Sequence, residues 1–195
     1  MKKSVLILGT LLSMVICPFG VSFADSETNM QQHYISKIQA QGVKFTPYGF
    51  IQVVIDNNAV LTQDFILAGM DPKTTTWGKL PPAYAAIYSG SDKALNVLLS
   101  NGIDANAEIA GETPLIIAIG KKRAKVVDVL ISHGADVNKV SDGKKPLNFA
   151  LRKKQKQIAR SLLKAGAKAD DDALVRAIKM KDSALKEAVL LHYVK

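Results

Sequence analysis

Four glycines, Gly69, Gly102, Gly134 and Gly166, follow one another at intervals of 33, 32 and 32 residues, and each closes the same local pattern. The segments are Ala68-Gly69-Met70-Asp71, Asn101-Gly102-Ile103-Asp104, His133-Gly134-Ala135-Asp136 and Ala165-Gly166-Ala167-Lys168. Apolar pairs precede them: Ile66-Leu67, Leu98-Leu99, Leu130-Ile131 and Leu162-Leu163. Glycine just past an amphipathic run is a helix stop, because it takes a left-handed backbone without a Cβ penalty. A second mark recurs 21 residues upstream, at Pro81-Pro82-Ala83, Thr113-Pro114-Leu115 and Lys145-Pro146-Leu147. Proline is tolerated in a first helical turn, where its missing N–H has no partner anyway. One turn later come Ala86-Ile87, Ala118-Ile119 and Ala150-Leu151, whose small members let two helices approach closely. Each unit therefore reads as turn, short helix, turn, longer helix, glycine. Neither helix can bury its face alone, so neighbouring units must stack. The expected class is all-α.

The stretch from Gly111-Glu112-Thr113-Pro114-Leu115 through Gly134-Ala135-Asp136-Val137-Asn138 resembles the ankyrin repeat, and the units on either side match it less fully. The resemblance covers roughly residues 45 to 195. It implies a solenoid of stacked helix-turn-helix units with short β-turn fingers. Units are expected at about 45–77, 78–110, 111–142 and 143–170, with a C-terminal cap over 171–195. Tyr84, Ile116 and Asn148 replace the family's corner histidine, which puts corner hydrogen bonds between repeats in doubt. The first unit is irregular, with Pro47 one place early before Tyr48-Gly49-Phe50. The last lacks a closing glycine and has a shorter finger. Asp170-Asp171-Asp172 stands at its first helix, where carboxylates cap and favour the dipole. Over 25–44, Met30, Tyr34 and Ile38 form a helical stripe closed by Gly42, read as a capping helix, with a private binding element as the alternative.

The first 24 residues read as a cleaved signal peptide. Lys2 and Lys3 are followed by an apolar run from Val5 to Ile16 and by Ser22-Phe23-Ala24. A spanning helix needs about 20 apolar residues, more than this run holds. Cys17, the only cysteine, leaves with the leader, and Ile16 before it disfavours lipidation. An exported chain without cysteine relies on packing rather than disulfides. Of the 26 basic residues two lie in the leader, leaving 24 against 17 acidic, a mature charge of +7. That excess concerns partners and solubility, not fold. No other apolar stretch approaches spanning length, so a soluble, periplasmic chain is expected, with secretion as the alternative.

Residues for catalysis are scarce. His33, His133 and His192 fall in three different elements, and no phosphate loop, paired-histidine helix or calcium loop occurs. No enzyme activity, cofactor or metal is expected.

Family resemblance implies a binding surface at finger tips and first-helix ends. Tip positions fall on Thr75, Trp77, Ala107, Ile109, Glu112, Lys139, Ser141, Asp142 and Lys144. First-helix ends fall on Tyr88, Lys121, Arg152, Lys153 and Lys179. Trp77, the only tryptophan, sits in a polar turn. It either anchors a partner, where truncation of a buried aromatic costs about 2 kcal/mol or more, or folds back over the first repeat. Lys121-Lys122-Arg123, Arg152-Lys153-Lys154-Gln155-Lys156 and Lys179-Met180-Lys181 occupy the same turn in successive units. They form either an ordinary solvated edge or a basic ridge for an acidic protein face, an anionic lipid surface or a polyanion. Nucleic acid is disfavoured by the leader and by the missing aromatic interleaving. The expected function is protein binding by a monomer. Similarity to periplasmic ankyrin proteins implies support or protection of another exported protein; a secreted effector and a binder of anionic envelope surfaces are the alternatives.

Overall fold

A computed structural model describes residues 23–75, 81–109 and 111–193, with side chains from 27 onward. The leader expected over residues 1–24 lies almost wholly outside the described residues. Eleven α-helices are described: α1 (Phe23–Ala40), α2 (Pro47–Ile55), α3 (Ala59–Leu67), α4 (Pro82–Ser89), α5 (Asp92–Ser100), α6 (Pro114–Gly120), α7 (Ala124–Ser132), α8 (Pro146–Arg152), α9 (Lys156–Lys164), α10 (Asp171–Lys179) and α11 (Ser183–Leu191). None is long and apolar enough to cross a membrane.

The helices stack in two layers. First helices α2, α4, α6, α8 and α10 contact one another in series, and second helices α3, α5, α7, α9 and α11 do the same. Within each unit the first helix packs against the second. The fold is an all-α solenoid, and its fingers carry the only extended pairing among the described residues apart from one bridge at the C-terminal end.

Local chemistry sets the helix ends. Thr46, Asn58, Thr113, Asp170 and Asp182 each accept a hydrogen bond from the backbone N–H three residues on, which satisfies an orphan donor of the first turn. At the other end Gly134 takes φ +82°, its N–H donates to Ile131 O, and Ala135 N–H donates to Leu130 O. This double bond is the Schellman stop. The same pair recurs at Gly69, Gly102 and Gly166, and also at Gly42.

That fifth copy closes α1. α1 packs against α3 and so stands in the second-helix layer. Ile38 is its fully buried contact.

The core runs the length of the stack as ladders. Ala86, Ala118, Ala150 and Ala177 are fully buried, as the close approach of first helices requires. Beside them Val54, Ile87, Ile119 and Leu151 form a second ladder, and each such side chain contributes about 1.5–3 kcal/mol by leaving water. In the outer layer Leu98, Leu130 and Leu162 are buried, and the first unit fills that place with Phe65. The expected pair there was Ile66-Leu67, but Leu67 is exposed, because the buried position lies four residues before the glycine.

The last unit closes by returning on itself. Ala169 N–H donates to His192 O, and the Tyr193 hydroxyl donates to Asp171.

Candidate functional site

The fingers are held rigidly from below. Asp71, Asp104 and Asp136 each accept from the N–H two residues on, forming the turn that opens a finger. Asn106 then reaches the next unit, accepting from Asp136 N–H and donating to Gly134 O. Asn138 repeats both bonds with Lys168 and Gly166. Two finger ends close as antiparallel bridges, Ile109 with Glu112 and Ser141 with Lys144. Asp142 and Gly143 both have positive φ, +49° and +65°, the backbone that fits the twist of a tight hairpin.

This geometry sorts the expected tip residues. Thr75, Ala107, Lys139 and Asp142 lie at the surface, although Lys139 is paired with Glu108 at 3.0 Å. Ser141 does not. It is 5% exposed, its Oγ accepts from Thr113 N–H at 2.9 Å and donates to Gly111 O, so it fastens one finger to the next corner. Lys144 is likewise drawn in, its ammonium bridging Glu112 and Asp142 at 2.5 Å each. The hydrogen bond from Lys144 holds the Asp142 carboxyl below its ordinary range, and the same contact raises the Lys144 ammonium. Ile109 is half-buried and packs on the core. Trp77 lies outside the described residues.

The corner positions behave in three ways. Tyr84 stacks on Tyr88, with ring centroids 5.3 Å apart, and Ile116 is buried. Asn148 does restore a bond between units, donating to Asp170 at 2.9 Å and to Asp172 at 3.2 Å. Asp170 also accepts from Lys145 Nζ and from Ala173 N–H. Burial raises its pKa, but these three donors outweigh that and hold it down at about 2.

The turns after the first helices repeat a left-handed residue at their centre: Asn57, Gly90, Lys122, Lys154 and Lys181. The residue after it does structural work. Ser91 Oγ donates to Ile55 O, Arg123 Nη2 to Tyr88 O and Gln155 Nε2 to Ile119 O, each closing a carbonyl in the last turn of the preceding unit's first helix. Arg123 therefore leaves the basic ridge in which its sequence neighbours suggested it belonged. Of the rest, Lys121 lies 3.6 Å from the Tyr88 ring centroid, and Arg152 and Lys153 lie 5.1 and 5.2 Å from that of Phe149. Lys179 is exposed at the end of α10. Tyr88, Lys121, Arg152, Lys153 and Lys179 thus end successive first helices along one edge.

Sequence reasoning missed the asparagine bridges and the hairpin. Asn106 and Asn138 stand four residues past their glycines, and Asp142-Gly143 is the strongest short hairpin signal, so both were visible in the chain.

The histidines stay apart. His133 meets Asn96, His192 meets Ala188 O, and His33 packs edge-on to Tyr34. Among the described residues no three metal-ligating side chains come together.

No curated protein matches this sequence significantly. A family model described as ankyrin repeats, three copies, matches residues 51–141 and 82–173, together more than half of the chain. With the stacked helix pairs and hairpin fingers already described, that match makes this chain a member of the ankyrin-repeat family.

Proposed function

We propose that the chain is a non-catalytic binding protein that engages another exported protein in the periplasm, as a monomer, through the edge formed by its finger tips and first-helix ends. Ankyrin repeats generally mediate protein–protein interaction. The observation that carries the reading is the division of labour along this edge. Asn106, Asn138, Ser141 and Arg123 are consumed in holding fingers and turns, and they present outward a fixed row that includes Tyr88, Lys121, Arg152 and Lys179. A rigid row keeps the ordering cost of binding small. The aromatic pair Tyr84–Tyr88 supplies contact area with few rotors, which suits an anchor.

The test uses a photoreactive phenylalanine analogue at Tyr88 or Lys121 on this edge, and at Val60 or Lys125 in the outer layer, in cells that export the protein. A discrete adduct with one envelope protein from the first pair only is the expected result. Equal adducts from both pairs, or none, would reject the edge. Protease protection in intact cells, lost on opening the outer envelope, is the result expected of a periplasmic chain. Recovery from culture supernatant would favour a secreted one.

A further inference from the structure

A cleft of about 430 Å³ opens between the turn after α8 and the end of α10. Arg152, Lys154, Lys156, Arg176 and Lys179 line it, with Leu151 and Met180, and no carboxylate among the described residues lines it. Two of these cations are neutralised from outside: Arg176 by Asp172 at 2.8 Å, and Lys156 by Asp182 at 3.2 Å. Among the described residues, Arg152, Lys154 and Lys179 have no acidic partner within ion-pair distance. Their positions are set by structure. Lys154 is fixed at φ +57° in a turn whose own N–H donates to Leu151 O, and Arg152 leans on the Phe149 ring. Like charges held within a Debye length, about 8 Å at physiological salt, repel one another until an anion enters.

The row continues into the preceding unit, where Lys122 occupies the left-handed position equivalent to Lys154. Packed helices lie about 8–10 Å apart. A polyproline-type extended chain advances about 3.1 Å per residue with three residues per turn, so every third side chain returns to one face after about 9 Å. A peptide with an acidic residue at every third position would thus present one carboxylate to each successive unit. A compact anion such as phosphate would satisfy only one end of the row, and it would gain nothing from the apolar Leu151 and Met180.

We infer that the basic cleft and the ridge leading from it seat an extended acidic segment of the partner protein, with Asp or Glu at i, i+3 and i+6. This deepens the protein-binding reading and rests on it.

The test is fluorescence anisotropy of the full mature chain with a labelled peptide of Glu-Pro-Ala triplets, beside a peptide of equal composition whose glutamates are contiguous. The spaced peptide is expected to bind about tenfold tighter and to weaken as salt rises. Lys154→Glu with Lys179→Glu should cost about tenfold or more, while Lys125→Glu with Lys164→Glu on the outer helices should change affinity less than about threefold. Lys154→Gln with Lys179→Gln gives the same comparison should the reversed pair fail to fold. Equal binding of the two peptides would overturn the inference, as would equal losses from both variant pairs. So would displacement of the peptide by inorganic phosphate at matched ionic strength, or preferential binding to phosphatidylglycerol vesicles. Photo-adducts that persist at Tyr88 in the Lys154/Lys179 variant would overturn the cleft and leave the protein-binding reading standing. Loss of all adducts in the unaltered chain would reject that broader reading instead.

Discussion

Asp170 is the side chain on which the last unit's attachment turns, and its replacement separates two contributions. Its carboxylate caps α10 through Ala173 N–H and ties α10 back to α8 through Lys145 and Asn148. Folded, its pKa falls from 3.8 to about 2. A drop of that size corresponds to about 2.4 kcal/mol at 1.36 kcal/mol per unit. The side chain is one-third exposed, so solvent screening brings the useful part nearer 1 kcal/mol. Asp170→Ser keeps a good cap acceptor and removes the charge, and should cost about 1 kcal/mol. Asp170→Ala loses the cap as well, for about 2 kcal/mol. At about 2–4 °C per kcal/mol for a chain of this size, the melting temperature should drop about 2–4 °C and 4–8 °C respectively. Because folding lowers this pKa, the charge contribution is complete above the unfolded value and is lost as pH falls through the folded one. The gap between Asp170→Ser and the unaltered chain should therefore be constant above about pH 5 and close between about pH 4 and 2. Thermal melts followed by circular dichroism at stepped pH measure it, and amide exchange locates the loss in α10 and α11. A gap that stays open near pH 2, or an alanine variant no worse than the serine one, would refute the argument.

Two further substitutions test the devices that hold the turns and fingers. Asn57 takes φ +57° and its Oδ1 accepts from Lys93 and Ala94 N–H, so it caps α5 from the preceding unit. Asn57→Gly should cost about 1 kcal/mol for the cap, and Asn57→Ala about 1 kcal/mol more for the left-handed backbone, read by urea unfolding. Equal costs would show that the turn relaxes. Ser141→Ala leaves the buried Thr113 N–H unpaired and should cost about 1–3 kcal/mol, with faster exchange of that one amide. Unchanged exchange at Thr113 would mean that water replaces the hydroxyl.

How much of this was legible in the chain depended on the range of the interaction. Helix stops at Gly69, Gly102, Gly134 and Gly166 were readable because a left-handed stop and the leucine four residues before it are local. The buried alanines of the first helices were readable for the same reason. The irregular ends were harder. Gly42 carries the same stop as the other four, but the next closing glycine is only 27 residues on, so α1 did not join the period even though it joins the layer. The edge was legible only as a position. Ser91, Arg123 and Gln155 share one task with three unlike side chains, because the task needs only a donor that reaches a carbonyl 35 or 36 residues earlier.

The same reasoning explains why a run of basic residues is a poor guide to a basic site. Arg123 and Lys122 are adjacent, yet the backbone turns one toward Tyr88 O and leaves the other without an ion-pair partner among the described residues. Lys156 and Lys154 lie two apart, and Asp182, delivered by the following unit, neutralises only the first. Lys144 would count as a tip cation in any tally of charge, but Glu112 and Asp142 consume it. What distinguishes the cleft is therefore where carboxylates fail to arrive, and those carboxylates sit one unit away on a stack whose register the sequence periodicity does not resolve to a side chain. Net charge measures the excess of cations over the whole molecule. On the proposed reading, recognition depends on where the fold gathers cations that no carboxylate neutralises, at Arg152, Lys154 and Lys179, so their reversal, and not a reversal of equal charge on the outer helices, should be felt by an acidic partner.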